Sequence, residues 1–365
     1  MSSQPTLAEV EHAAGDLVGD CYRLRAPIGE GATGMVWSAE HVPTGDLVAI
    51  KVLRPELART EAVGRFAREA RLAGQLLSPH IVRVEDEGFC ADGRPFVVME
   101  LLEGELLSGR LRREARLSLA ATLPIVQQLA DALEVAHRQK IAHRDLKPEN
   151  VFLERLTGAG VRVMLMDFGI AKEFDTVEPP PSSAAPPSQV ALQRQLTRLG
   201  DVVGTPAYMS PEQATAKPID HRTDLWALGA TVYRLLVGET PFGSGPQATV
   251  AYRIMTATPR PPSELVPELP EAIDAWVAKA LAKDPRDRFQ SARAMTDALA
   301  QVAMSSTTRA RPPPNALTPD VSLVRPVSIA DGDDVPQPPR PSLRLPLMIA
   351  GAIVVLVVLL RLILG

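Results

Sequence analysis

The sequence predicts an α+β protein in which a strand-rich part is followed by a helical part and then by a tail. Between residues 22 and 100, short apolar stretches alternate with turns that contain glycine or proline, as strands do. From Leu119 to Gln139, apolar residues recur at helical spacing. Beyond residue 304, proline is abundant until a last apolar run that reaches residue 364.

Composition limits the classes of protein to consider. The chain has 365 residues, 45% of them hydrophobic and 22% charged, so it can form a sizeable core and is not disordered as a whole. Its net charge of −4 argues against nucleic acid as the main partner. Two cysteines, Cys21 and Cys90, form no CxxC pair, which is typical of a reducing compartment. The first twenty residues contain no apolar core of a signal peptide.

A glycine-rich stretch follows the first predicted strand, Tyr22–Ile28. Its glycines, Gly29, Gly31 and Gly34, have the G-x-G-x-x-G spacing that also occurs in dinucleotide-binding turns. A dinucleotide site requires a helix directly after the glycines, whereas residues 36–41 and 47–53 both have strand character. The pattern therefore indicates a hairpin whose backbone amides can close over phosphate oxygens.

Two charged residues follow in segments that are otherwise apolar or helical. Lys51 lies inside the strand Leu47–Leu53. A lysine there either prevents pairing at an exposed sheet edge or serves as a functional cation. The glycine-rich hairpin before it favours the functional cation. Glu69 lies in a helical pattern that should end before Pro79. Strands are then predicted at residues 81–87 and 95–100, around the turn Asp92-Gly93.

Two polar motifs stand next to apolar segments in the second half. The stretch from His143 to Asn150 contains Asp145, Lys147 and Asn150, and apolar residues flank it on both sides. Asp167-Phe168-Gly169 follows another apolar run, residues 163–166. Both motifs in this order favour a site that handles phosphate and metal over a charged surface loop.

Together these motifs resemble the catalytic and metal-binding loops of the protein-kinase family, and in particular its bacterial, eukaryotic-like (Hanks-type) serine/threonine members. The resemblance covers residues 20–303 and implies a bilobal kinase fold, with a β-rich N-lobe at 20–100 and a helical C-lobe at 101–303. It implies ATP and Mg²⁺ as cofactors, with Mn²⁺ as a substitute ion. It also implies protein substrates with serine or threonine, which the docking stretch Gly204–Glu212 favours over small molecules.

The resemblance also implies a role for each site residue. Lys51 would bind the α- and β-phosphates and pair with Glu69, although Glu69 could instead be a solvated helix residue paired with Arg65 or Arg68. Asp145 would accept the proton of the substrate hydroxyl, Lys147 would neutralise the γ-phosphate, and Asn150 and Asp167 would hold the metal. His143 is expected to pack beneath Phe168 rather than act as a base. The residues implied in nucleotide binding are Ile28, Gly29, Gly31, Gly34, Val36, Ala49, Lys51, Met99, Glu100 and Leu102.

Regulation and support are implied in the segment that follows Asp167. Arg144 would bind a phosphate there. Thr197 is the expected phosphorylation site, with Thr176, Ser182, Ser183 and Ser188 as the other candidates, and residues 179–187 form a proline-rich insertion. Thr205 would bridge Asp145 and Lys147 at the docking stretch. Two structural contacts are also expected, an ion pair between Glu212 and Arg288 and a carboxylate of Asp224 that binds backbone amides.

The two ends of the chain are predicted to lie outside the kinase domain. Residues 1–19 are expected to be a disordered tail and 304–342 a proline-rich linker. Residues 343–364 predict a transmembrane helix rather than a buried one, because the apolar run has no polar face. Arg340 and Arg344 on its near side predict a single-pass protein of the inner membrane with its kinase domain in the cytoplasm.

One alternative function is a pseudokinase scaffold that binds nucleotide or partners without catalysis. It predicts a missing catalytic group, whereas Lys51, Glu69, Asp145, Asn150 and Asp167 are all present. A small-molecule kinase of similar fold is the other alternative. A homodimer through the back of the small lobe is a further expectation from the resemblance.

Overall fold

The computed structural model describes residues 12–31, 33–58, 62–156, 158, 160–168, 206–215 and 217–307. All of them lie within one of the two units into which the chain divides, residues 1–310. Among them, no helix is both long enough and apolar enough to cross a membrane. The predicted span at 343–364, Thr197, Thr205 and the insertion at 179–187 lie outside the described residues.

The small lobe is built on an antiparallel sheet with the strand order β1-β2-β3-β4-β6-β5. The strands are β1 (Leu17–Val18), β2 (Tyr22–Glu30), β3 (Gly34–His41), β4 (Leu47–Leu53), β5 (Val84–Phe89) and β6 (Pro95–Glu100). Residues 12–19, assigned from sequence to a disordered tail, contribute β1, and Gly15 N donates to Leu24 O over 2.8 Å. The tail is ordered there because its backbone completes hydrogen bonds at the edge of β2.

One helix, α1 (Ala62–Gly74), packs on this sheet. Its buried side chains Phe66 and Ala70 pack in one cluster with Leu53 of β4 and Val97 of β6. The helix ends at Gly74, earlier than the prolyl bond after Ser78 that predicts its end, and short-range hydrogen bonds such as Gln75 N to Leu72 O follow it. Glycine is a poor helix former, which explains the earlier end.

The segment after α1 connects the two lobes. The strand predicted from Ile81 begins only at Val84, because residues 80–82 pair elsewhere. Leu165 N donates to His80 O over 2.9 Å, and Val82 N donates to Leu165 O over 3.0 Å. Ile81 therefore forms a parallel bridge with Leu165 of the large lobe.

The large lobe combines a three-stranded sheet with a set of helices. The sheet has the order β7-β8-β9, with β7 (Gly104–Leu106), β8 (Val151–Arg155) and β9 (Val161–Leu165). The helices are α2 (Leu107–Glu114), α3 (Leu119–Arg138), α4 (Pro211–Ala214), α5 (Arg222–Val237), α6 (Gln247–Thr256), α7 (Pro262–Leu265), α8 (Ala272–Ala280) and α9 (Ala292–Thr307).

Helix α5 lies in the centre of the large-lobe core. Almost all of its residues are buried, and among them Trp226 and Tyr233 are at most 1% exposed. Helix α3 packs against it with an apolar face that includes Leu129 and Leu133. The helical spacing predicted for α3 is thus confirmed, and this core supports the loop between α3 and β8.

Candidate active site

The loop from His143 to Asn150 is fixed by one buried carboxylate. Asp224, at the start of α5, accepts hydrogen bonds from His143 N and Arg144 N, each over 2.8 Å, and from His137 Nε2 over 2.8 Å. Burial alone would raise the pKa of Asp224, but the hydrogen bond and charge of His137 and the other donors bring it below its ordinary value. The expectation that Asp224 anchors backbone amides is confirmed.

Asp145, Lys147 and Asn150 are brought together in this loop. Lys147 Nζ donates to Asp145 Oδ2 over 2.7 Å, and Asn150 Nδ2 donates to the same oxygen over 3.1 Å. Asn150 Nδ2 also donates to Asp145 O over 2.8 Å. A carboxylate held by a cation and an amide has a fixed orientation, which suits a group that must take a proton from a bound hydroxyl.

Asn150 and Asp167 lie at the same end of the β8–β9 hairpin. The carbonyl of Asn150 accepts a hydrogen bond from Met166 N over 2.9 Å, directly before Asp167. Because Nδ2 of Asn150 is engaged with Asp145, its amide oxygen is left on the opposite side of the group. A neutral amide oxygen and a carboxylate are hard ligands that suit Mg²⁺ or Mn²⁺ together with phosphate and water oxygens.

Lys51 joins the small lobe to this end of the large lobe. Its Nζ lies 2.7 Å from Asp167 Oδ1, although Lys51 lies in the small-lobe sheet and Asp167 follows the last strand of the large-lobe sheet. Burial alone would lower the pKa of the Lys51 ammonium, but the charge and hydrogen bond of Asp167, with the charges of Glu69 and Asp145, raise it. The ammonium is therefore held in its charged form in the cleft.

Glu69 lines the same cleft but is not the ion-pair partner of Lys51 in this structure. The sequence predicts a pair between Lys51 and Glu69, whereas in the structure Lys51 Nζ lies 2.7 Å from Asp167 Oδ1. Asp167 has a positive φ of 51°, so the backbone leaves the extended conformation of β9 at this residue. Glu69 acts on Lys51 through its nearby charge, and the cavity between them is lined also by Phe66, Met99 and Phe168.

The glycine-rich turn lies close over strand β4. A Cβ at Gly34 would stand 2.3 Å from Val52 O, so a side chain has no space there. Gly31 N donates to Gly34 O over 2.9 Å and closes the turn. Arg54, just after β4, then holds the turn from outside, because its Nε donates to Gly31 O over 3.0 Å and its Nη2 to Glu30 Oε1 over 2.7 Å.

The residues implied in nucleotide binding lie in β2, β3, β4 and β6 or shortly after these strands. Ile28 is 52% exposed and Ala49 is 6% exposed, and Val36 pairs with Lys51 in the β3–β4 register. Met99 and Glu100 end β6, where Ala49 pairs with Met99. Glu100 N already donates to Arg83 O over 3.1 Å, so the amide of Leu102 is the better candidate donor to a ligand.

His143 and Arg144 differ in role although they are neighbours. His143 is fully buried, its ring packs on Phe168 with centroids 4.7 Å apart, and burial lowers its pKa. This confirms the expected packing role. Arg144 has a positive φ of 64°, and its Nε is buried without a hydrogen-bond partner within the described part of the chain.

The docking stretch is described from Pro206 onward. Ser210 caps α4, and Glu212 of α4 forms a bidentate pair with Arg288, with distances of 2.8 and 2.7 Å. The two side chains are 7% and 0% exposed, so the expected ion pair is confirmed and buried. Arg288 also donates to the carbonyls of Ala282, Arg222 and Lys283.

The contacts of three residues near the site were not predicted from the sequence. Gln213 donates from Nε2 to Arg144 O over 2.8 Å, and a signal existed for it, because Ser210 and Gln213 have the spacing of a capping box. Arg54 had no local signal, since an arginine after a strand is common and its contacts with the glycine-rich turn depend on the fold. His137 lies on the predicted apolar face of α3, and its bond to Asp224 likewise depends on packing.

Comparisons with known proteins agree with this geometry. The protein kinase domain family matches residues 22–300. The serine/threonine-protein kinase pkn3 of Myxococcus xanthus is 38% identical over 289 residues, which are 78% of this chain and 50% of that protein. Pkn1 of the same organism is 37% identical over 312 residues, 84% of this chain and 42% of that protein. This chain thus spans about half the length of these relatives, or less.

Solved structures show the same fold. The PknI kinase domain of Mycobacterium tuberculosis superposes with a TM-score of 0.61 at 28% identity, over 80% of this chain and 100% of that one. The bilobal arrangement, the paired lysine and aspartate in the cleft and the family match all lead to one assignment. This chain belongs to the protein kinase family, in its bacterial, Hanks-type serine/threonine branch.

Proposed function

We propose that this protein transfers the γ-phosphate of ATP to serine or threonine hydroxyls of proteins, with Mg²⁺. The observation that carries the proposal is the convergence of Lys51 and Asp167 from opposite lobes, 2.7 Å apart, beside the loop that holds Asp145. The proposal is further supported by relatives that are named serine/threonine-protein kinases.

The chain's own residues would divide the work as follows. Lys51 would bind the α- and β-phosphates, and the glycine-rich turn would cover them with backbone amides. Asp145 would orient the hydroxyl and accept its proton as the oxygen attacks the γ-phosphorus and ADP leaves. Lys147, 2.7 Å from Asp145, would neutralise charge on the transferred group. A Mg²⁺ ion held by Asn150 and Asp167 would supply further neutralisation of phosphate charge.

The test is transfer of radiolabelled phosphate from ATP to a generic protein substrate, with ADP release measured in parallel. Asp145→Asn keeps the shape of the side chain and removes the base, so transfer should fall by a factor of about 10² or more. Asp131→Asn, on the exposed side of α3, is the matched control and should transfer at the normal rate. Equal background activity in the unaltered protein and Asp145→Asn would instead favour the nucleotide-binding scaffold.

Autophosphorylation at Thr197 is part of the proposal. It is supported by Arg144, whose buried Nε has no hydrogen-bond partner among the described residues and could pair with a phosphate. Phosphopeptide mapping after incubation with ATP should find phosphate on Thr197 and none there in Thr197→Ala. Full activity without any phosphate in residues 169–205 would contradict this part.

Membrane attachment through residues 343–364 is also part of the proposal, with the kinase domain in the cytoplasm. It is supported by the apolar composition of residues 345–360 and by Arg340 and Arg344, which precede them. In cell fractionation, the full chain should sediment with membranes, and a chain shortened before residue 343 should not. Recovery of both chains in the soluble fraction would overturn the anchor without affecting the proposed chemistry.

A homodimer through the back of the small lobe completes the proposal. It would hold two copies of the chain together and so favour the encounters in which one copy phosphorylates the other. Mixing an active chain with Asp145→Asn tests it, because phosphate on the inactive chain requires an encounter of two copies. A rate of autophosphorylation independent of concentration would argue against such encounters.

A further inference from the structure

Gln213 connects the docking stretch to the loop that holds Asp145. It is 5% exposed and lies in α4, just after the docking stretch. Its Oε1 accepts a hydrogen bond from Ser210 N over 3.0 Å, and its Nε2 donates to Arg144 O over 2.8 Å. One amide group therefore bridges two segments that lie far apart in the chain.

The backbone at Arg144 needs such support. Its φ of 64° is in the left-handed region, which residues with a Cβ seldom occupy unless their surroundings hold them there. Asp224 holds Arg144 N over 2.8 Å, and Gln213 holds Arg144 O. The carbonyl held by Gln213 belongs to the peptide bond that leads directly into Asp145. A shift of this carbonyl would rotate the peptide bond to which the backbone nitrogen of Asp145 belongs.

The anchor of Gln213 is itself buried and polar. Ser210 is fully buried, and its Oγ is hydrogen-bonded to Thr223 Oγ1, next to Asp224 at the start of α5. The contacts that hold the end of the docking stretch and those that hold Arg144 thus meet at the same turn of α5. Movement of the docking stretch at Ser210 would be transmitted to Arg144 through the Gln213 amide.

We propose that Gln213 is a positioning residue for the phosphoryl-transfer step, which couples the placement of the docking stretch to the orientation of Asp145. The inference rests on the proposed role of Asp145. Gln213 itself does not touch the reacting atoms. Its effect would be on the rate of transfer and on the use of the protein substrate, and not on the affinity for ATP, because the nucleotide is held by Lys51 and the glycine-rich turn.

The variant Gln213→Glu separates the two bonds of this side chain. A carboxylate still accepts from Ser210 N, as in the usual capping box, but it cannot donate to Arg144 O. We expect kcat to fall about 10-fold or more while KM for ATP stays within twofold. At lower pH a protonated carboxyl group can donate again, so the loss should shrink as the pH falls. A purely structural role would not produce this recovery.

Gln128→Glu is the matched control. Gln128 also bridges backbone groups, since its Oε1 accepts from Val163 N over 2.9 Å and its Nε2 donates to Pro124 O over 3.2 Å. We expect its kcat to stay within twofold of the unaltered protein, with a similar decrease in melting temperature. Thr215→Val, which removes a bond from the residue after α4 to Pro211 O, controls for a general loosening of that helix.

The outcomes separate the inference from the function on which it rests. Normal kcat in Gln213→Glu, or a fall no larger than that of Gln128→Glu, overturns the inference. If Gln213→Glu does not fold, Gln213→Met is measured instead, and it should show the same fall in kcat without recovery at low pH. Loss of the fold in both variants would assign Gln213 a structural role and overturn the proposal. Full activity of Asp145→Asn would instead refute the proposed function itself.

Discussion

Removing Arg288 should destabilise the large lobe severely. Arg288→Met keeps most of the side-chain volume but leaves Glu212 as a buried carboxylate without its bidentate partner. Since these side chains are 0% and 7% exposed, the screening that makes surface pairs weak does not apply. Breaking a buried pair by removing one partner costs about 3–5 kcal/mol. The carbonyls of Ala282, Arg222 and Lys283 lose a donor as well.

A loss of that size is a large part of the whole stability of a domain, which is about 5–15 kcal/mol. Urea unfolding measured by tryptophan fluorescence suits the test, because Trp226 lies 4.9 Å from the Arg288 guanidinium. The midpoint should shift to much lower urea without a change in slope. The double variant Glu212→Gln with Arg288→Met removes both charges and should recover about 1–3 kcal/mol relative to Arg288→Met. A loss below about 1 kcal/mol, as for an exposed pair, would refute the reasoning.

Three further predictions concern other parts of the chain. Ala115 has a φ of 59° in a tight turn in which Arg116 N donates to Glu114 O over 2.7 Å. Because glycine adopts this φ without strain, Ala115→Gly should raise the free energy of unfolding by about 0.5–1 kcal/mol. A lower melting temperature would contradict this. Burial holds the pKa of His143 below 6.5, so the unfolded chain takes up a proton at a higher pH than the native chain does. The free energy of unfolding should therefore fall as the pH decreases below about 6.5. In His143→Gln this decrease should be smaller. Arg54→Ala removes the hydrogen bond to Gly31 O that holds the glycine-rich turn, and it should raise KM for ATP about 5-fold. Arg25→Ala loses only a surface pair with Glu40 and should leave KM for ATP unchanged.

Local patterns predict much of the small lobe and the loops of the site. Strand β4 is found with its predicted bounds, since a lysine in an otherwise apolar run still pairs on both sides within the sheet. Asp145, Lys147 and Asn150 lie together because six consecutive residues carry them. Alternation and spacing suffice for such features because their contacts are close in sequence.

Features that depend on distant contacts escape this kind of prediction. Ile81 leaves the predicted strand because its backbone pairs with Leu165. Strand β7 is only three residues long, too short for an alternation to be recognised. The partner of Lys51 is decided by the approach of two lobes, and here the carboxylate at hydrogen-bond distance is Asp167. No spacing in the sequence could distinguish it from Glu69.

The first turn of α5 has a consequence for how the protein loses its activities on heating. Asp224 holds the loop of Asp145, Thr223 holds Ser210, and the carbonyl of Arg222 accepts from Arg288. The loop that holds Asp145 and the end of the docking stretch are thus both anchored on the same buried turn of α5. Heating should not produce a partly unfolded state that still binds the protein substrate but has lost the structure of the Asp145 loop. Both abilities should vanish in one cooperative step, while damage confined to the small lobe would abolish only the use of nucleotide.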